Sequence, residues 1–355
     1  MKRVYMITAL VAALAALTAC NRSGMDEAKN LIRIGSMDMS DTDAPTRGAA
    51  PNRALQPMFL FWTEGNFNSA TASAPDFFVR TPEGEIDTYK TTTYKTGVYY
   101  PIQNKTIYAT GFAPAPGDGY LSFATEGDYS KFIIPANPAG TYPDDEYGVM
   151  DILSAPRISA SDSNPFTVAN PLQFSHAQTK LFFQATLAPG MPKYVQKVKI
   201  KFPNSSVPRT LEWSEADKRY VVKGIENEGY ETLLNYWTTD GTNLVDDPRA
   251  NQTLFYPMSS VKYEKMGYTY IVPPGSHLNF IVMFRLTDDP ANFATGEGVK
   301  DVEVNVSTNL DQTLEAGDAY LIKLIIDVRD IELSATKVDW VEGGYYGINV
   351  PITVS

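Results

Sequence analysis

Tyr194-Val195-Gln196-Lys197-Val198-Lys199-Ile200-Lys201-Phe202 is the stretch whose reading decides the fold class. Its period is two, so Tyr194, Gln196, Val198, Ile200 and Phe202 project from one side of an extended chain, and Lys197, Lys199 and Lys201 from the other. A strand that is apolar on one face and ammonium-bearing on the other is half-buried in a sandwich. Its lysines also discourage unwanted edge pairing.

Working outward, short β-prone runs recur at 58–62, 98–100, 106–113, 172–174, 180–187, 219–222, 268–272, 278–286, 302–306 and 320–328. The run at 320–328 is apolar on both faces for most of its length, which predicts a central strand. The 24 Gly and 24 Pro fall mostly between the runs, as in Pro114-Ala115-Pro116-Gly117-Asp118-Gly119. Strands outnumber any plausible helix, so the expectation is an all-β chain of antiparallel sandwiches. About 300 residues exceed what one sandwich core organises, which predicts two domains in tandem. The expected segments are 1–20, 21–53, 54–172 and 173–355, with 155–170 read as a loose stretch before the second domain.

The first of these segments is a leader. Lys2 and Arg3 precede an uncharged run, too short to span a bilayer comfortably, that ends in Leu17-Thr18-Ala19-Cys20. This ending resembles the lipobox of bacterial lipoproteins, which implies diacylglycerol on Cys20, the one cysteine of the chain. Two or more acyl chains would anchor the precursor stably, and the rest is expected to be soluble. Segment 21–53 then holds a polar tether, a candidate first strand with Leu31, Ile32 and Ile34, and an aperiodic loop carrying Arg47, with Arg53 beyond it. An exposed arginine in such a loop is where a trypsin-like protease cuts.

At the other end, Tyr346, Ile348, Val350, Ile352 and Val354 alternate with Gly347, Asn349, Pro351 and Thr353. This strand reaches roughly 30 Å, and burying its five side chains contributes at most about 7–15 kcal/mol. Its apolar face either closes the chain's own sheet or enters another molecule. Pro351 lacks an N–H and requires that its outward edge go unpaired.

Composition excludes several functions. A formal net charge of −11, without a basic stripe, repels nucleic acid and anionic lipid. Loss of 1–20 removes Lys2 and Arg3 but no acid, making the chain more acidic still. His176 and His277, the two histidines, sit in no metal or triad motif. Asp38, Asp41 and Asp43 lack the glycine and glutamate of a calcium loop. Asp144-Asp145-Glu146 and Asp288-Asp289 read as surface turns before they read as a glycosidase pair. No enzyme activity, cofactor or metal is expected. With 21 Tyr, 17 Phe and 4 Trp, exposed rings could stack on sugars, and Tyr99-Tyr100 and Tyr236-Trp237 are the candidates.

The Cys20 leader, the Arg47 loop, Asp151-Ile152-Leu153-Ser154-Ala155 with Leu172-Gln173-Phe174-Ser175-His176-Ala177, and Leu314-Glu315-Ala316-Gly317-Asp318-Ala319-Tyr320 with Trp340 together resemble the fimbrillin family, the subunits of type V pili. The resemblance implies two transthyretin-like β-sandwich domains and export as an outer-membrane lipoprotein precursor to the cell surface. It also implies that an arginine-specific protease removes the first strand. A terminal strand from another copy, or from a related pilus subunit, then fills the groove and the mature protein joins the pilus, with a host glycan or protein receptor as a further partner. A surface-anchored glycan-binding lipoprotein, or a pilus anchor or tip adhesin that does not polymerise as a stalk, is the alternative.

Overall fold

The computed structural model describes residues 31–34, 57–63, 75–80, 94–117, 120–135, 151–166, 172–189, 194–236, 256–257, 264–289, 291–326 and 331–338. In chain order its strands are β1 (Leu31–Ile34), β2 (Met58–Thr63), β3 (Phe77–Arg80), β4 (Tyr94–Tyr99), β5 (Ile107–Ala113), β6 (Ser122–Phe123) and β7 (Lys131–Ile133). Next come β8 (Leu153–Ala160), β9 (Ser175–His176), β10 (Thr179–Leu187), β11 (Tyr194–Pro203), β12 (Thr210–Ser214), β13 (Arg219–Lys223) and β14 (Tyr230–Tyr236). The last are β15 (Tyr256–Pro257), β16 (Glu264–Ile271), β17 (Gly275–Thr287), β18 (Lys300–Leu314), β19 (Ala319–Ile326) and β20 (Ile331–Val338). The fold is all-β, as the sequence predicts.

The opening stretch forms β11, between β14 and β17 in the sheet β14-β11-β17-β18. Ile200 and Phe202 are fully buried while Lys199 and Lys201 are partly exposed, so the alternation sets the inner and outer faces. Facing this sheet is β16-β10-β19-β20. Between them lie Leu181 and Phe183 of β10, Phe280 and Val282 of β17, and Ile322 and Leu324 of β19. The Phe183 ring meets those of Phe280 at 5.8 Å and Phe202 at 6.4 Å. Each buried phenylalanine contributes roughly 1.5–3 kcal/mol. The two-faced apolar run becomes β19, central between β10 and β20. It pairs parallel to β10, the one parallel ladder among the described strands. On the outer face of this sheet the Lys180 ammonium lies 4.3 Å from the Tyr268 ring and 5.0 Å from that of Phe182, cation–π contacts that offset part of its burial.

A third sheet, β3-β2-β5-β8-β9, is apolar on both faces because β2 reads Met58-Phe59-Leu60-Phe61-Trp62 without a break. Phe59 and Phe61 join Ile107, Phe166 and Phe174 on one side, and Leu60 and Trp62 join Phe112, Phe132 and Tyr220 on the other. The second side is covered by the sheet β13-β12-β7-β6. Leu211 of β12 pairs with Phe132 of β7, so the hairpin of residues 210–223 completes a sheet begun before residue 172.

The stretch expected to be loose from 155 contains most of β8. Ala109 pairs with Ile158 and Gly111 with Ala155, leaving Pro156 and Arg157 opposite Thr110 alone. Such a bulge is where a proline fits inside a sheet, and the Thr110 hydroxyl donates to the Ala155 carbonyl at 2.7 Å. The remaining expected runs fall on strands or within a few residues of them.

Candidate strand-exchange site

Leu31, Ile32 and Ile34 lie on β1, which pairs antiparallel with β4. Leu31 faces Tyr99, Arg33 faces Lys95 and Ile34 faces Tyr94, with an irregularity between Leu31 and Arg33. The two strands form a sheet of their own. A four-residue strand on an interrupted ladder has few hydrogen bonds, each worth a net 0.5–1.5 kcal/mol or so. Among the described residues β4 pairs with no other strand. Cys20, Arg47 and Arg53, and the terminal Tyr346, Ile348, Val350, Ile352 and Val354, lie outside the described residues. The segment joining β1 to β2, residues 35–57, carries both arginines.

The motif segments at 151–155, 172–177 and 314–320 converge on one junction, whereas Trp340 lies outside the described residues. Leu153 of β8 pairs with His176 of β9, and the Ala177 amide donates to the Ile152 carbonyl at 2.7 Å. The Gln178 carboxamide oxygen accepts from the Ile152 amide at 2.9 Å, and its carbonyl accepts from the Gly317 amide at 2.8 Å. Thr179 donates its hydroxyl to the Glu315 carbonyl at 2.7 Å, and the Lys180 amide donates to the Asp318 carbonyl at 3.0 Å. Gly317 has φ = 85°, which only glycine adopts without cost. The turn from β18 to β19 thus clamps the start of β10, and Arg219 donates to Ser154 and Ser175 from the far side. Tyr320 donates to Asp318, and burial, reinforced by that carboxylate, pushes its phenol well above the usual range.

His176 is held by Asp151, Nδ1 to carboxylate oxygen 2.9 Å, a structural arrangement inside this junction. His277 sits on the surface between Asn309 at 3.0 Å and Ser307 at 3.2 Å. Asp289 accepts from the Ala291 amide at 2.9 Å in an exposed turn. Asp38, Asp41, Asp43, Asp144, Asp145 and Glu146 lie outside the described residues. Among the described residues no three His, Cys, Asp or Glu side chains gather as metal ligands, and no helix is long and apolar enough to cross a membrane.

Of the adjacent aromatic candidates, Tyr99 is 51% exposed whereas Tyr100 is buried, its hydroxyl accepting from the Phe166 amide at 2.8 Å. Tyr100 is therefore a core residue, and burial raises its phenol pKa. Tyr236 ends β14, and Trp237 lies outside the described residues. Sequence reading passed over Phe78 and Tyr129, whose rings meet 5.6 Å apart at the surface. A Phe77-Phe78-Val79 run, apolar on both faces, is the signal that marks them.

Neither a protein-family model nor a curated protein sequence matches the chain. Solved structures match its fold. A protein ascribed to cell adhesion from Parabacteroides distasonis aligns over 90% of this chain and 99% of its own, with a TM-score of 0.50 and 9% identity. One ascribed to cell adhesion from Bacteroides uniformis covers 87% of this chain and 99% of its own, with a TM-score of 0.48 and 13% identity. The tip fimbrial protein Mfa3 of Porphyromonas gingivalis, truncated at its C-terminus, covers 87% of this chain and 98% of its own, with a TM-score of 0.40 and 11% identity. At 9% identity the likeness to the Parabacteroides distasonis structure is one of fold.

Proposed function

We propose that the chain is a structural subunit of a pilus, with two sandwich domains, exported as an outer-membrane lipoprotein acylated at Cys20. An arginine-specific protease cuts after Arg47, or alternatively Arg53, and a neighbouring subunit's terminal strand then replaces β1. The observation that carries this reading is the short, irregular pairing of β1 with β4, β1 standing just ahead of a segment with two arginines.

While residues 35–57 are intact, β1 is tethered beside β4 at an effective concentration of order millimolar, so it rebinds after each opening. A cut ends that advantage without breaking a single ladder hydrogen bond. An incoming strand of nine residues with five apolar side chains offers more main-chain pairing and more buried surface than the four-residue β1. Because donor and acceptor are different parts of the chain, the contact is head-to-tail and propagates a filament rather than closing a dimer. The agreement in fold with a protein ascribed to cell adhesion supports the same reading.

The test is the intact mass of the surface-expressed protein together with electron microscopy of the cells. A mature start at Gly48 or Ala54 is expected, and the double variant Arg47→Ala, Arg53→Ala should stay lipid-bound, uncut and monomeric. Normal filaments from that variant would sink the cleavage step.

A further inference from the structure

One edge of the sandwich built from β3-β2-β5-β8-β9 and β13-β12-β7-β6 carries a group of rings that the polymer reading leaves unused. Phe78 of β3 is 53% exposed. Its ring meets that of Tyr129 at 5.6 Å, and Tyr129 meets Phe123 of β6 edge-on at 5.1 Å. The rings thus run from the edge strand of one sheet to the edge strand of the other.

Tyr129 is fixed before any ligand arrives. The Asp128 amide donates to the Thr125 carbonyl at 2.9 Å, and the Asp128 carboxylate accepts from the Ser130 amide at 2.8 Å and the Ser130 hydroxyl at 2.6 Å. The Tyr129 carbonyl accepts from the buried Tyr220 hydroxyl at 2.5 Å, and the Trp213 amide donates to the Ser130 carbonyl at 2.9 Å. Gly127, with φ = 78°, supplies the left-handed residue of the turn. Around the rings, Ser122, Thr125 and Glu126 are exposed and Asp128 is half-buried, so hydroxyls and carboxylates border a small apolar platform.

We propose that Phe78 and Tyr129 form a carbohydrate-binding platform for neutral pyranosides, with Glu126 and Asp128 accepting hydrogen bonds from sugar hydroxyls. A pyranose has an apolar C–H face that packs on an aromatic ring and an equatorial rim of hydroxyls that needs acceptors. Rings held on a rigid turn lose little entropy on binding. The chain's net charge of −11 and the carboxylates at the rim select against sialylated or uronic sugars. A globular protein partner needs roughly 800 Å² on each side, far more than a few rings supply. The proposal goes beyond strand exchange and does not depend on it, since the platform is present in the uncut chain.

The test is calorimetry and saturation-transfer NMR on the full-length uncut chain with gluco-, galacto- and manno-oligosaccharides, and with a sialylated oligosaccharide as a fourth probe. A neutral oligosaccharide should bind, with Phe78→Ala weakening it about tenfold. Glu126→Gln should weaken it less, and Ile225→Ala, at another exposed apolar site, should leave it unchanged. Thermal melts of the variants establish that the fold is intact; both Phe78 and Glu126 are exposed, so little change is expected. Three results would overturn the proposal: no neutral sugar binding, undiminished binding by Phe78→Ala, or a preference for the sialylated probe. Loss of filaments in Phe78→Ala without any sugar binding would assign the rings to a protein contact instead.

Discussion

Glu212 of β12 ties together two parts of the chain that are far apart in sequence. Its carboxylate lies 2.8 Å from Lys131 of β7 and 3.1 Å from Lys223 of β13, and Thr210 donates to it at 3.0 Å. Burial alone would raise its pKa, but the two lysines and the threonine outweigh that effect and lower it from 4.5 to about 2. A depressed carboxylate pKa stabilises the fold above the unfolded value and loses that contribution as pH falls through the folded one. Melting temperatures of the wild type and Glu212→Gln should therefore differ most above pH 4.5 and converge as pH approaches about 2. A difference that stays constant over that interval would show that the clamp does not titrate. Gly317 makes a second prediction at this scale. Its φ of 85° costs an alanine roughly 1–2 kcal/mol, and denaturant unfolding of Gly317→Ala should reveal a loss of that size with m unchanged.

Single strands were legible in proportion to how completely their own residues specify them. β11 announces its two faces through Ile200, Phe202 and the intervening lysines, and β19 announces a central position through unbroken apolar residues. β8 was hidden because Pro156 interrupts it, and the bulge that accommodates Pro156 depends on β5, which local pattern does not reveal. The candidate site was half-visible in the same sense. Ile32 and Ile34 mark β1, but its partner β4 reads Tyr94-Lys95-Thr96-Gly97-Val98-Tyr99, where polar residues and a glycine blur the period. The element-scale prediction concerns this pair. After arginine-specific cleavage, amides of β4 should exchange faster, and a synthetic peptide of residues 346–355 should restore their protection. The same peptide with Val350→Asp should fail, because it would bury an unpaired charge. Equal protection by both peptides would mean that the apolar face does not direct the insertion.

At the scale of the whole molecule, the hairpin of β12 and β13 makes the early and late halves of the chain interdependent. The core around Trp62, Phe112 and Phe132 is roofed by Leu211, Tyr220 and Val222, which enter from beyond residue 172. Phe112 contacts Tyr220 at 4.9 Å and Phe132 at 4.7 Å, so the ring cluster is complete only when the hairpin is in place. A fragment of residues 54–178 would leave this apolar surface uncovered and should aggregate or stay unfolded, with no near-ultraviolet circular dichroism of packed rings. The subtler experiment keeps the chain whole. Leu211 is fully buried, and Leu211→Ala removes about 2–5 kcal/mol at a site well over a hundred residues from β2 in sequence. If the hairpin is integral to this sandwich, native-state hydrogen exchange will show β2 and β5 losing protection in step with β12 and β13, as one cooperative unit. If β2 and β5 keep their wild-type protection while the hairpin alone frays, the roof is an accessory and the first sandwich stands without it.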